Sequence, residues 1–165
     1  MTINIDKLKN GIRVVTEEIP SIESVSVGIW INAGSRNEKK IENGIAHFLE
    51  HMAFKGTEKR SALQIAEEIE SVGGFINAYT SREITCYYAK VLKNHLPLAV
   101  DILSDIISNS IFNEQEIEIE KGVIIQEIGQ MKDTPDDVIF ELLQKEAFAD
   151  SELGRSILGL SLIHI

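Results

Sequence analysis

The stretch Val25-Ser-Val-Gly-Ile-Trp-Ile31 alternates with a period close to two, which is typical of a strand with one buried face. The β-branched run at residues 13–16 follows the turn signal Asn10-Gly11. We therefore expect these two runs to form a hairpin-like pair with one face buried. Further strands are predicted at residues 75–80 and 84–92. Because the strands come in pairs and do not alternate with helices, the sequence favours an antiparallel sheet.

Helical spacing of apolar residues begins after Gly34 and returns in the second half of the chain. A first helix is predicted around residues 45–52, and a second is predicted to open at Ser61 and to end before Gly73. Three later helices are expected. The first is capped by Asn94 and has Pro97 in its first turn, and the second is capped by Asn113 and covers about 114–131. The third has Pro135 in its first turn and reaches about residue 149. The predicted fold class is α+β, a mainly antiparallel sheet with helices packed on one face.

Composition limits the partners. The chain has 165 residues with 16 Lys+Arg against 26 Asp+Glu, for a net charge of -10, a length expected to form one domain. An acidic chain repels phosphate backbones and anionic lipid, so we expect no nucleic acid and no membrane surface, and basic peptides are favoured. The single cysteine, Cys86, lies in a predicted strand and is interpreted as a buried inert thiol.

The first helix carries the motif His47-Phe-Leu-Glu50-His51. Residues four apart lie one helical turn apart on the same face, so both imidazoles can reach one metal ion, with the Glu50 carboxylate beside them. The alternative is that both histidines are ordinary helix residues. The neighbours of the motif are apolar, however, and unpaired polar groups would be costly there. The spacing therefore favours zinc.

Catalytic zinc usually takes three protein ligands and leaves one position for water. The predicted helix over 114–131 offers Glu120 and Glu127, which are seven residues apart and share a face. The residues alone leave open which of the two is the ligand. Three other glutamates of this helix are interpreted as exposed or salt-bridged: Glu114, Glu116 and Glu118.

Three blocks in order resemble the pitrilysin/insulinase family of zinc peptidases. They are His47-Phe-Leu-Glu-His-Met-Ala-Phe-Lys-Gly-Thr57, Asn77-Ala-Tyr-Thr-Ser-Arg-Glu83 and Glu120-Lys-Gly-Val-Ile-Ile-Gln-Glu127. The first contains H-x-x-E-H, the inverzincin signature. The resemblance extends from about residue 3 to residue 159, and every motif position is intact.

The resemblance implies a zinc-dependent endopeptidase that hydrolyses extended peptides, with one Zn²⁺ per domain. It assigns His47, His51 and Glu127 as metal ligands and Glu50 as the general base. A second glutamate that assists catalysis in the family matches Glu120. Family members bind peptides along a sheet edge, which implies substrate contacts at Asn77 and Ala78.

The resemblance also implies that this chain is an N-terminal fragment. We expect residues 1–159 to be most of the first metallopeptidase domain, and a homologous second half or a partner subunit to complete the enzyme. The last six residues, Leu-Ser-Leu-Ile-His-Ile, match the translation of a sequencing adapter, so residues 160–165 are interpreted as a tail and His164 as no ligand. The isolated chain is expected to bind zinc but to cleave poorly.

Localisation and two alternative functions follow from weaker signals. With no export signal and no long apolar run, we expect a cytoplasmic bacterial protein. One alternative is a non-catalytic accessory subunit that holds peptides, and the intact Glu50 argues against it. The other is a structural zinc domain, which would need a fourth ligand that is not apparent in the sequence.

Overall fold

A computed structural model describes residues 2–159. The suspected tail at 160–165, with His164, lies outside the described residues. The strands are β1 (Thr2–Lys7), β2 (Arg13–Glu18), β3 (Ser24–Ile31), β4 (Phe75–Thr80) and β5 (Thr85–Leu92). The helices are α1 (Ile45–Met52), α2 (Ala62–Glu70), α3 (Leu96–Ser108), α4 (Glu114–Asp133) and α5 (Pro135–Ala147). Between residues 2 and 159, no helix is both long enough and apolar enough to cross a membrane.

The strands of the described region form two antiparallel sheets. Strands β1 and β2 form a hairpin in which Lys7 lies opposite Arg13, and the other sheet has the order β3-β5-β4. The predicted pairing of β2 with β3 is therefore wrong. The turn signal Asn10-Gly11 does mark a hairpin, but it joins β2 to β1, a strand that the sequence analysis did not predict. Both faces of the β1–β2 hairpin are largely exposed, so the buried face predicted for residues 13–16 is wrong. The buried face predicted for residues 25–31 is confirmed, because Val25, Val27 and Ile29 pack against the buried core cluster.

The helix signals were read correctly in most cases. The Ser61 hydroxyl accepts from the Gln64 N–H at the start of α2, and Asn113 accepts from two amides at the start of α4. The predicted cap at Asn94 is wrong, because a 3₁₀ turn (Lys93–His95) precedes the helix and makes His95 the residue before α3.

The main core lies between the three-stranded sheet and helices α2 and α3. Alternate β5 residues, including Ala89 and Val91, face the apolar stripe of α3, where Ile102 and Leu103 are fully buried. This arrangement confirms the predicted α+β class with antiparallel strands and packed helices. Cys86 is buried as predicted.

A second, smaller apolar cluster joins α1 to α4. It contains Phe48 and Met52 of α1 and Ile124 of α4, each at most 5% exposed. This contact places the polar face of α1 against the middle of α4, and α1 also packs against β4.

The start of α1 is held by residues outside the helix. Gly44 precedes the helix with φ +102°, a left-handed conformation that favours glycine. The buried Glu38 carboxylate accepts from the Gly44 N–H and the Ala46 N–H, both at 2.8 Å. It thereby satisfies amides that the helix itself cannot pair and suits the positive end of the helix dipole.

Candidate metal centre

Helix α1 presents two imidazoles that converge at their Nε2 atoms. The Nε2 atoms of His47 and His51 are 3.3 Å apart, as expected for residues one helical turn apart. Their side chains are only 13% and 18% exposed. The apolar contacts of Phe48 and Met52 with α4 fix the orientation of this face.

Helix α4 brings a carboxylate to the same point. One oxygen of Glu127, Oε2, lies 3.7 Å from His47 Nε2 and 3.6 Å from His51 Nε2. These three side chains form a group whose ligand atoms could share one metal ion. The structure thus brings together two neutral nitrogen donors and one anionic oxygen from two different helices.

The donor set fits zinc. Bonds of about 2.0–2.1 Å at tetrahedral angles separate neighbouring ligand atoms by about 3.3 Å, close to the three distances observed here. Burial and the charge of neighbouring His51 lower the pKa of His47 to about 4. His47 is therefore neutral near pH 7, the form in which imidazole binds a metal. Within residues 2–159 the group has three members, which leaves one coordination position without a protein ligand.

Glu120 lies behind the metal ligands and does not belong to the group of three. Its Oε2 accepts from His51 Nδ1 at 2.9 Å, and its Oε1 is paired with the Lys55 ammonium. Burial alone would raise the pKa of Glu120, but the hydrogen bonds from Lys55 and His51 outweigh burial and hold it below its ordinary value. An ionised Glu120 places the ring proton of His51 on Nδ1 and leaves Nε2 free to coordinate.

Glu50 lies on the same face of α1 and close to the end of strand β4. Burial raises the pKa of its carboxyl, and the charge of Glu127 adds to this effect, against the opposing influence of Thr80 and His51. Glu50 Oε2 and Thr80 Oγ1 are both buried and have no hydrogen-bond partner among the described residues. A buried carboxylate oxygen without a donor is a group available for proton transfer.

Asn77 and Ala78 lie on β4, at an edge of the three-stranded sheet and next to α1. They point to opposite faces: Asn77 is exposed and Ala78 is half-buried. The Ala78 N–H donates to Asn77 Oδ1 at 2.8 Å. Neither side chain belongs to the group of three that could share a metal ion.

Sequence reasoning missed three residues that support this site. Glu38 caps α1 from six and eight residues away, outside the three-residue spacing of a local capping signal. Lys55 follows α1 within the motif block but reaches α4, a long-range contact that spacing cannot predict. Thr80 was included in the second motif block and received no role of its own.

Comparisons with known proteins identify a family of peptidases. A model of the insulinase family, peptidase family M16, matches residues 13–161. An uncharacterized zinc protease of Bacillus subtilis is 49% identical over 92% of this chain and 37% of its own length. The mitochondrial-processing peptidase subunit beta of Rattus norvegicus is 53% identical over 92% of this chain and 31% of its own length.

A solved structure shows the same fold. The crystal structure of a protease from Helicobacter pylori matches with a TM-score of 0.90 at 27% identity, over 96% of this chain and 38% of that protein. This chain therefore spans about a third of the length of the relatives that it matches.

Proposed function

The chain belongs to the insulinase family, peptidase family M16, and we propose that it carries the zinc centre of a metalloendopeptidase that hydrolyses extended peptides. The convergence of His47, His51 and Glu127 beside Glu50 carries this proposal. Relatives that share about half of its residues are named zinc proteases. The three donors would hold one Zn²⁺, with a fourth position open.

Each polar residue then has a distinct task. When bound by His47, His51 and Glu127, zinc would supply Lewis acidity, which would polarise the scissile carbonyl and lower the pKa of water at the site from about 15.7 towards about 7. Glu50 accepts a proton from the attacking water at Oε2 and passes it to the nitrogen of the leaving amine. Its raised pKa brings the carboxylate nearer the value at which a base works best at neutral pH.

Glu120 acts through His51. Its carboxylate accepts the Nδ1 proton of His51, which fixes the ring orientation and makes Nε2 a better donor. The sequence analysis grouped Glu120 with the catalytic residues. The contact with Nδ1 supports a positioning role, because Glu120 reaches the back of the ligand and the reacting atoms lie on the opposite side.

Strand β4 is proposed to receive the peptide. Among the strands of residues 2–159 it pairs with β5 alone, so a peptide can add as a further strand next to α1. The Ala78 N–H, which now donates to the side chain of Asn77, can donate instead to a peptide carbonyl. Asn77 and Ala78 are accordingly proposed as substrate contacts.

A basic residue of the substrate is favoured by a cavity of about 480 Å³ beside Glu127. Asp137 and Glu141 contribute carboxylates to its wall, and Phe140 contributes an apolar surface. Glu141 is already paired with Arg82 at 2.9 Å, whereas Asp137 has no ion-pair partner within the described residues. An arginine or lysine side chain could lay its stem on Phe140 and its charge against Asp137.

We propose that full activity needs a homologous second half, in the same chain or as a partner subunit. The relatives are about three times as long as this chain. A peptide on the β4 edge would also be exposed to water on its other side, where a second half could enclose it.

Metal analysis and hydrolysis of four proteins test the proposal. The unchanged chain should bind one zinc, and His51→Ala should bind none. Glu50→Gln should keep the zinc, since Glu50 is no ligand, and hydrolysis in the full length that the gene encodes should fall about 10²–10⁴-fold. Glu118→Gln is the matched control, because Glu118 lies on α4 and its ion pair within the described residues is with Lys121. This variant should change neither zinc binding nor the rate of hydrolysis.

Three outcomes decide between the functions. Hydrolysis that stops on chelation and returns with zinc supports the peptidase. Retained hydrolysis in Glu50→Gln removes Glu50 from the role of base. Zinc and peptide binding without any hydrolysis at full length would identify a non-catalytic accessory subunit.

A further inference from the structure

Lys55 forms an ion pair with Glu120, next to the metal centre. It lies three residues beyond the end of α1, and its ammonium is paired with Glu120 Oε1. Its side chain is 29% exposed, whereas that of Glu120 is 4% exposed. Among the described ion pairs, this is the only one that brings a lysine or arginine to Glu50, Glu120 or Glu127. The function proposed above gives Lys55 no task.

The two oxygens of Glu120 are used separately. Oε1 faces Lys55 and Oε2 accepts from His51 Nδ1. A carboxylate held at one oxygen has its other oxygen fixed in direction. The side chain of Lys55 therefore determines where Glu120 Oε2 meets the ring of His51.

The backbone that carries Lys55 is itself held in place. Thr57 Oγ1 donates to Asp105 of α3 at 2.8 Å. The N–H of Glu58 donates to the Asn109 carbonyl, and the N–H of Ile111 donates to the Gly56 carbonyl. These bonds hold residues 56–58, and the N–H of Lys55 itself donates to the Met52 carbonyl at 3.1 Å, so Lys55 starts from a rigid position.

We propose that Lys55 is a positioning residue that holds the Glu120 carboxylate oriented against His51 Nδ1, so that His51 presents Nε2 to the metal. This inference rests on the proposed zinc function for its purpose but not for its geometry. Without Lys55, Glu120 Oε1 loses its ion-pair partner, and the carboxylate is free to turn Oε2 away from the ring of His51. Glu120 then no longer selects one tautomer of His51.

A pair at the surface would contribute little. Here one partner is almost fully buried, and its second oxygen is committed to a metal ligand. Loss of a group that orients a metal-binding histidine typically weakens metal binding by about 10–100-fold. The same range is expected for loss of Lys55.

The first experiment uses the metal-free chain. Ring ¹⁵N chemical shifts of His51, measured at a pH where the ring is neutral, should show the Nδ1-protonated tautomer in the unchanged protein. Lys55→Gln should give a mixture of both tautomers, and Lys55→Arg should restore the single tautomer. Lys59→Gln removes the same charge from an exposed position of the same segment and should leave the shifts unchanged.

The second experiment measures zinc affinity by competition with a chromophoric chelator. Lys55→Gln should bind zinc about 10–100-fold more weakly, and Lys59→Gln should bind it as the unchanged chain does. In the Glu120→Gln background, loss of Lys55 should have no further effect, because the two residues act as one unit. Should Lys55→Gln fail to fold, as judged by circular dichroism, Lys55→Met keeps the apolar stem and takes its place.

The outcomes separate this inference from the proposed function. An unchanged tautomer and unchanged zinc affinity in Lys55→Gln overturn the role of Lys55, as does an equal loss in Lys59→Gln. A chain that shows the tautomer shift but binds no zinc supports the positioning of His51 and overturns the zinc function instead.

Discussion

Asp105 and Glu50 are both carboxylates with buried oxygens, but they differ in the hydrogen bonds that those oxygens accept. Asp105 Oδ2 accepts from Thr57 and from Arg60, at 2.8 and 2.9 Å, and Oδ1 accepts from Asn109 at 2.8 Å. Glu50 Oε2 has no donor within the described residues. The surroundings of Asp105 satisfy both of its oxygens, and those of Glu50 leave one free.

The pKa values of the two groups move in opposite directions for this reason. Burial raises the pKa of each carboxyl, but at Asp105 the hydrogen bonds from Asn109, Thr57 and Arg60 outweigh burial and lower the pKa. At Glu50 burial prevails and the pKa is raised. A satisfied charge stabilises the fold, whereas the role proposed for Glu50 needs a carboxylate oxygen that is free to accept a proton. Four predictions test this distinction, from the largest expected effect to the smallest.

Removal of the Asp105 carboxylate should cause the largest loss of stability. Asp105→Ala should lower the free energy of unfolding by about 3–5 kcal/mol, because it removes the acceptor of three donors, on Thr57, Arg60 and Asn109, and unsatisfied buried donors are costly. Asp101→Ala is the matched control, since Asp101 also pairs with Arg60 but is 54% exposed, and it should cost less than about 1 kcal/mol. Urea denaturation measures both, and equal losses would contradict the distinction.

Zinc should stabilise the chain through the region around Glu50, and not through the region around Asp105. At a zinc concentration of about 100 times Kd, the free energy of unfolding should rise by about 2.7 kcal/mol. The gain should vanish in Glu127→Ala and persist in Asp101→Ala. Thermal unfolding with and without zinc makes the measurement, and a full gain in Glu127→Ala would show that zinc binds elsewhere.

Acid should remove the contribution of Asp105. Its pKa is lowered in the folded state, so its stabilisation is present above the unfolded value of about 3.9 and is lost as the pH falls through the lower folded value. Asp105→Asn should therefore lose less stability than the unchanged chain over that acidic range. Metal-free unfolding titrations at a series of pH values test this, and parallel curves would contradict it.

Glu50→Gln should have the smallest effect on stability, and of the opposite sign. A neutral amide removes the cost of a buried charge, so the metal-free variant should be more stable by up to about 1 kcal/mol. Denaturation of the metal-free chain measures this, with Glu118→Gln as the exposed control. A clear loss of stability would place Glu50 with Asp105 as a structural group.

Local patterns accounted for most of the fold. Periodicity predicted β3, α1 and α2 because each packs one face against a core cluster. Asn113 was recognised as the cap of α4 because its capping bonds are local in sequence. The partner of β2 could not be predicted from burial, because both strands of that hairpin are exposed and their alternation has no core to face. The cap at Asn94 failed because a 3₁₀ turn intervened.

Local patterns also predicted part of the candidate site, and the rest depends on contacts between distant segments. His47, Glu50 and His51 are one local motif, and spacing alone placed them on one face of α1. Spacing left Glu120 and Glu127 as alternatives, and the family resemblance assigned Glu127 as the ligand. The fold then places Glu127 near the imidazole Nε2 atoms and Glu120 at Nδ1. Lys55 was missed because its contact with Glu120 joins segments 65 residues apart in the sequence.

The small apolar cluster between α1 and α4 has a consequence for how the molecule opens. Its three buried residues are separate from the main core, so α4 can detach in a partial opening while the sheet stays folded. The proposed metal ligands lie on both helices, His47 and His51 on α1 and Glu127 on α4. An ion bound there would cross-link α1 to α4, and slower amide hydrogen exchange in α4 would report that the ion is bound.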